Sequence, residues 1–204
     1  RPHWTERELA GAAAEALWSR GLHPALTLAA GSRRLPLYRH PTPTGEPLGD
    51  EAMLVVCARG AGLYANLTRF VAFRSIPSAR ADRHRVVREV EAEALARCQP
   101  GVALRDVYHV LRKAYEGRGY PHAMDEHHQG GTTGFRAREV IATPHAADTL
   151  DGATALAWNP SLPGAKVEDT FLLRETGDLE NLTLDHRWPA VVVEGRPRPV
   201  PLSR

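Results

Sequence analysis

The sequence predicts a single α+β domain in which helices are combined with a β-hairpin and several short strands. Apolar residues recur at helical spacing after Pro77, and the segment 62–74 is rich in Val, Leu, Phe and Tyr, as strands are. The chain has 17 Gly and 16 Pro, which is typical of a fold with many turns. Its 204 residues are enough to bury a substantial core.

The N-terminal part is predicted to contain one helix and three strands. Thr5 and Glu8 have the spacing of a capping box, so a helix is expected to begin there. This helix runs to about Arg20 and ends at Gly21, a typical C-terminal residue. Strands are expected at 26–30, 53–56 and 62–74, and the last two form a hairpin.

Two helices and four strands are predicted for the remainder. Pro77 and Ser78 begin a long helix that Pro100 and Gly101 interrupt, and a second helix ends near Gly117. Short strands are then expected at 130–138, 153–159, 167–173 and 190–194. The Pro- and Arg-rich segment 195–204 is predicted to be a loose tail outside a core of residues 1–194.

The composition of the chain indicates which classes of binding partner are not expected. The formal net charge is +2 and the basic residues are spread along the chain, which does not indicate nucleic-acid binding. No apolar stretch is long enough to cross a membrane. Cys57 and Cys98 form no disulfide framework. We therefore expect a cytoplasmic protein without a nucleic-acid or membrane partner.

Four polar segments between Thr5 and Thr183 occur in a fixed order. They are His40-Pro41 with the hairpin ending at Arg69, Pro100-Gly101 with Asp106, the segment 127–139, and Asn159-Pro160 with the segment 166–169. Their order and spacing resemble the pita-bread superfamily, which includes aminopeptidase P, prolidase, methionine aminopeptidase and creatinase. The resemblance implies a curved antiparallel sheet around a central cavity, with helices outside. It also implies a homodimer and an N-terminal domain that this chain lacks.

When the family's metal-ligand positions are transferred to this sequence one at a time, the resemblance implies that most of the ligand residues are replaced in this chain. The five ligand positions fall at Cys57 (Val55 in an ungapped alignment), Asn66, Gly131, Asn159 and Glu168. Only Glu168 is a carboxylate. Two positions near the metals have become Arg138 and Lys166, whereas histidines are kept at His40 and His127. Since two adjacent divalent cations need several anionic oxygen ligands, we expect no metal and no cofactor.

Three functions stay open. The preferred one is a catalytically inactive peptidase homologue that binds a peptide or small molecule, or acts as a scaffold. The residues assigned to that ligand are His127, Arg138, Lys166, Asn66 and Asn159. The second is a metal-independent, creatinase-like hydrolase of a small C–N compound, with His40 as the general base and Glu168 as an acid or anchor. The third is a peptidase with a single metal held by His127, His128 and Glu168.

Several of these residues also have structural interpretations. Glu168 is expected to form a buried ion pair with Arg138 or Lys166, which would fill the place of the metals. The amides of Asn66 and Asn159 can bridge neighbouring strands by hydrogen bonds. Cys57, on a buried strand, is expected to be a small core residue rather than a nucleophile.

Overall fold

The computed structural model describes residues 1–204 and contains three α-helices and twelve β-strands. The helices are α1 (Glu6–Trp18), α2 (Ser78–Arg97) and α3 (Leu104–Glu116). The strands are β1 (His23–Gly31), β2 (Glu51–Gly60), β3 (Leu63–Ala72), β4 (Gly130–Thr133), β5 (Thr154–Trp158), β6 (Ser161–Leu162), β7 (Ala165–Lys166), β8 (Asp169–Leu173), β9 (Leu179–Asn181), β10 (Ala190–Val193), β11 (Arg196–Pro199) and β12 (Leu202–Ser203). The predicted mixture of helices and strands is confirmed. No helix combines the length and the apolarity that spanning a membrane requires.

Three strands of the N-terminal half and the C-terminal strand β12 form a four-stranded sheet in the order β1-β2-β3-β12. The hairpin of β2 and β3 closes through Ala61 and Gly62, which both have positive φ (50° and 84°), the geometry of the tight turns that hairpins favour. Helix α1 begins at the predicted capping box, in which the Thr5 hydroxyl accepts from the Glu8 amide and the Glu8 carboxylate accepts from the Thr5 amide. The register places Cys57 opposite Asn66.

A second four-stranded antiparallel sheet has the order β4-β5-β8-β9. Its inner strands contribute Trp158 and Phe171 to a core of 24 buried residues that also contains Val90 of α2 and Leu111 of α3. The two sheets meet where the Thr68 amide donates to the Glu168 carbonyl oxygen across 3.0 Å. The two sheets are joined at this contact, and polar residues of the motifs, among them Arg138 and Glu168, lie at their junction.

The segment after Gly195 is not the loose tail that its composition predicted. Strand β11 pairs with β10, and β12 adds to the first sheet in parallel beside β3. The Arg198 side chain is fully buried, with two 2.7 Å hydrogen bonds to the Glu91 carboxylate and one of 2.8 Å to Asp169. The prediction was wrong because these acidic partners lie far away in the sequence.

The strand predicted at 130–138 is also shorter than expected. Strand β4 ends at Thr133, and the chain then turns back so that the Glu139 amide donates to the Thr132 carbonyl oxygen across 2.9 Å. Arg138 consequently lies on a loop rather than on a strand. This loop brings its guanidinium to the junction of the two sheets.

Candidate functional site

A polar cavity of about 130 Å³ lies at the junction of the two sheets. Its apolar wall includes Leu26, Leu28 and Val55 from β1 and β2. Its polar lining consists of the residues His40, His128, Arg138, Asn159, Lys166 and Glu168. The structure thus brings together most of the site residues predicted from the sequence. We call this space the polar cavity.

Glu168 lies in the short connection between β7 and β8, and both of its carboxylate oxygens have partners. Oε1 accepts a hydrogen bond of 2.7 Å from Nη2 of Arg138, and Oε2 accepts one of 3.0 Å from the Thr68 hydroxyl. The Glu168 side chain is 2% exposed and that of Arg138 12%. The two residues therefore form a buried ion pair, which was one of the two pairings predicted for Glu168.

Lys166 does not form the other predicted pairing. It lies on β7, at the end of a tight hairpin whose turn contains Gly164, and only 5% of the residue is exposed. Its Nζ is buried and has no hydrogen-bond partner. Burial lowers the pKa of Lys166, and the nearby Glu168 carboxylate only partly offsets this because the Arg138 charge acts in the same direction as burial.

Three histidines form a cluster at the polar cavity, of which His40 and His128 line it and His127 packs against both. The rings of His40 and His127 have centroids 5.0 Å apart, and those of His40 and His128 are stacked at 5.9 Å. Burial and the Lys166 charge lower the pKa of His40 to about 4 and that of His127 to about 2. Both imidazoles are therefore neutral at pH 7. Nε2 of His127 lies 2.6 Å from the Ser161 hydroxyl oxygen.

The two asparagines occupy different positions. Asn66 is a buried residue of β3, and its Nδ2 donates to the Thr133 hydroxyl across 3.1 Å. This hydrogen bond connects β3 to β4, as predicted from the sequence for the asparagine amides. Asn159 follows β5 and lines the polar cavity, where its Oδ1 has no partner. Cys57 also lines the cavity, and burial raises the pKa of its thiol to about 11.

Sequence reasoning missed three hydroxyl residues that hold the site together. Thr68 binds Glu168, Thr133 binds Asn66, and Ser161 contacts His127. Thr68 follows Asn66 by two residues on one strand, so strand alternation places both side chains on the same face and could have identified it. For Thr133 and Ser161, no local pattern indicates the contact.

The ligands considered for a single metal are not assembled into one set. No group of three or more His, Cys, Asp or Glu side chains is arranged so that it could hold a metal ion. Glu168 contacts Arg138, and His127 contacts Ser161. The groups at the polar cavity are instead a guanidinium, an ammonium, one carboxylate and neutral imidazoles. Such a set can bind a ligand through hydrogen bonds and charge.

Comparisons with known proteins agree with this architecture. The sequence model of Metallopeptidase family M24 matches residues 1–175. Among solved structures, the X-Pro aminopeptidase from Thermotoga maritima superimposes with a TM-score of 0.80 at 22% identity, over 92% of this chain and 55% of that one. The prolidase from Pyrococcus horikoshii gives a TM-score of 0.82 at 19% identity, over 92% of this chain and 56% of that one. The predicted pita-bread fold is thereby confirmed.

A further similar structure is not named as a peptidase. The N-terminal domain of the FACT complex subunit SPT16 from Cicer arietinum gives a TM-score of 0.74 at 12% identity, over 88% of this chain and 49% of that one. No curated protein matches the chain in sequence. The chain spans about half the length of the solved structures that it matches.

Proposed function

Because the chain belongs to metallopeptidase family M24, we propose that it is an Xaa-Pro-peptidase-like protein that has lost the dinuclear metal site and works by binding a ligand. The observation that carries this proposal is the ion pair of Arg138 and Glu168. Glu168 is the one carboxylate retained at the ligand positions, and Arg138 and Thr68 engage its two oxygens. The polar cavity is the proposed binding site.

Electrostatics argue against a pair of divalent cations in the polar cavity. Two unit charges about 4 Å apart interact by about 4 kcal/mol at an effective dielectric constant of 20, and a divalent ion doubles this. Arg138 and Lys166 would both repel such ions, while Glu168 alone would attract them. Asn66 and Asn159 supply neutral oxygens, which do not offset this repulsion. The residues present therefore do not fit the metal pair.

Losing the metals removes the means of peptide hydrolysis. A bound metal supplies a water with a pKa of about 7 and a Lewis acid for the carbonyl group. The lowered pKa values of His40 and His127, about 4 and about 2, make both imidazoles weak bases. We therefore propose that the chain does not cleave Xaa-Pro bonds. The match to a domain named as a complex subunit is compatible with a binding or scaffold role.

A metal-independent hydrolase of a small C–N compound is the second candidate. His40 is neutral, exposed and part of the lining of the polar cavity, so it can accept a proton from a bound molecule. The engagement of both Glu168 oxygens argues against this candidate, because no free carboxylate remains to hold a guanidinium substrate. Loss of any amidine or amide hydrolysis in His40→Ala, with folding unchanged, would favour the second candidate over the first.

The proposal is tested by metal content and peptidase activity together. Purified protein is incubated with Mn²⁺ or Co²⁺, dialysed and measured by elemental analysis, and Xaa-Pro dipeptides are assayed with the same metals. We expect substoichiometric metal and no hydrolysis. Two tightly bound ions per chain accompanied by dipeptide cleavage would overturn the proposal. The homodimer, the ligand and the cytoplasmic location are also part of the proposal. Analytical sedimentation of the protein tests the homodimer.

A further inference from the structure

Lys166 places a buried amino group without a hydrogen-bond partner at the polar cavity. The chain contains only two lysines, Lys113 and Lys166, among 26 basic residues. Lys113 is exposed on α3, whereas Lys166 is 5% exposed and its Nζ has no hydrogen-bond partner. An unpaired buried ammonium is costly because it gives up its hydration without gaining another partner. A partner from solution would remove this cost.

The charged groups around Lys166 indicate which charge a ligand from solution should carry. Arg138 and Glu168 neutralise each other through their ion pair, so Lys166 in its protonated form is a positive charge at the cavity without a partner, and a bound anion favours that form. A monoanion therefore complements the cavity better than a dianion or a cation.

A second unsatisfied group lines the same cavity. Oδ1 of Asn159 is buried at the cavity without a partner. Because the oxygen and nitrogen of an amide are assigned from their surroundings, the same side chain can present its NH₂ to an anion. Lys166 and Asn159 can thus offer two donors to one carboxylate.

The size and the apolar wall of the cavity define the rest of the ligand. An engineered cavity of about 150 Å³ in another protein holds benzene, which has six non-hydrogen atoms. The polar cavity, at about 130 Å³, has room for a molecule of similar size. Leu26, Leu28 and Val55 line one side of this space and suit a hydrocarbon chain.

We infer that the polar cavity binds a short aliphatic monocarboxylate, with the Lys166 ammonium contacting the carboxylate and the apolar wall contacting the hydrocarbon chain. The inference rests on the proposed function, because a pair of metal ions would occupy the same space. It narrows the ligand from a peptide or small molecule to one chemical class.

Isothermal titration of the metal-stripped protein tests the inference. Butyrate, which has about six non-hydrogen atoms, is compared with butanol, butylamine and inorganic phosphate. We expect saturable binding of butyrate and weaker binding of the other three. Lys166→Met and Lys166→Gln should weaken butyrate binding at least about tenfold, since both remove a charge-assisted hydrogen bond. Lys113→Met is the matched control and should bind like the unmodified protein.

The outcomes separate the inference from the proposed function. Circular dichroism and thermal unfolding establish that each variant is folded before its titration is compared. If the metal-free protein binds no butyrate, binds phosphate as tightly, or keeps its affinity in both folded Lys166 variants, the inference is overturned and the proposed function stands. If metal ions bind stoichiometrically in the cavity, both are overturned. Butyrate binding that depends on Lys166 and not on Lys113 supports the inference.

Discussion

Arg138 donates to Glu168 across 2.7 Å, and this contact connects the loop after β4 to the segment before β8. The Glu168 carboxylate thus has a fixed side-chain cation as its partner at the junction of the two sheets. The stability and the chemistry of the polar cavity both depend on this pair.

Removing the carboxylate of Glu168 is expected to destabilise the fold strongly. Glu168→Gln leaves Arg138 as an uncompensated charge that is only 12% exposed, and breaking a buried pair in this way costs about 3–5 kcal/mol. Urea denaturation measures the free energy of unfolding. The double variant Glu168→Gln/Arg138→Met should regain much of this loss, because it also removes the guanidinium that the single variant leaves without its partner. A loss below about 1 kcal/mol in the single variant would contradict the prediction.

The C-terminal segment is expected to be essential for stability. Arg198→Met leaves the buried Glu91 without its ion-pair partner and removes one of the two arginines that pair with the buried Asp169, so we expect a loss of about 3–5 kcal/mol in the free energy of unfolding. Arg196→Met, on the same strand but without a salt bridge, is the control and should cost less than about 1 kcal/mol. Equal stabilities for the two variants would show that the buried contacts of Arg198 contribute little.

Stability is expected to fall at acidic pH partly because of His84. This side chain is 5% exposed, packs edge-on against Phe70 and lies 3.4 Å from the Glu51 carboxylate. Burial lowers its pKa below the usual 6.5, and Arg88 and Arg80 add to this, while Glu51 partly offsets it. Below pH 6.5 the unfolded chain takes up a proton that folded His84 resists, so the free energy of unfolding decreases as the pH falls.

The size of this effect is measured by urea denaturation at pH 7.5 and 5.5. His84→Gln should flatten the pH dependence by at most about 1.4 kcal/mol per pH unit, the limit for one titrating group. His122→Gln is the matched control, because the His122 side chain is 90% exposed and should not affect the slope. An unchanged slope in His84→Gln would mean that the pKa of His84 is not lowered in the folded protein.

Neither cysteine is expected to react as a nucleophile in the folded protein. Burial raises the pKa of Cys57 to about 11 and that of Cys98 to about 12, so almost no thiolate is present at pH 8. A chromogenic disulfide reagent should label no thiol rapidly in native protein and two after denaturation in urea. Rapid native labelling that disappears in Cys57→Ser would restore Cys57 as a candidate nucleophile.

Local patterns were sufficient for most of the secondary structure. The capping box of Thr5 and Glu8, the helices after Pro77 and Gly101, and the hairpin of β2 and β3 were all predicted, because each depends on residues close together in the chain. The spacing of the polar motifs was also sufficient to indicate the pita-bread fold. The resemblance also led to the prediction that asparagine and glycine stand at positions where the family places metal ligands.

Only the tertiary structure decided how the charges pair. Glu168 lies two residues from Lys166, yet it binds Arg138, which is 30 positions away, and Lys166 is left without a partner. Arg198 binds Glu91 from 107 positions away, so the segment predicted to be loose is buried. The physical reason is that helices and hairpins arise from short-range periodicity, whereas the partner of a buried charge depends on which distant segments pack together.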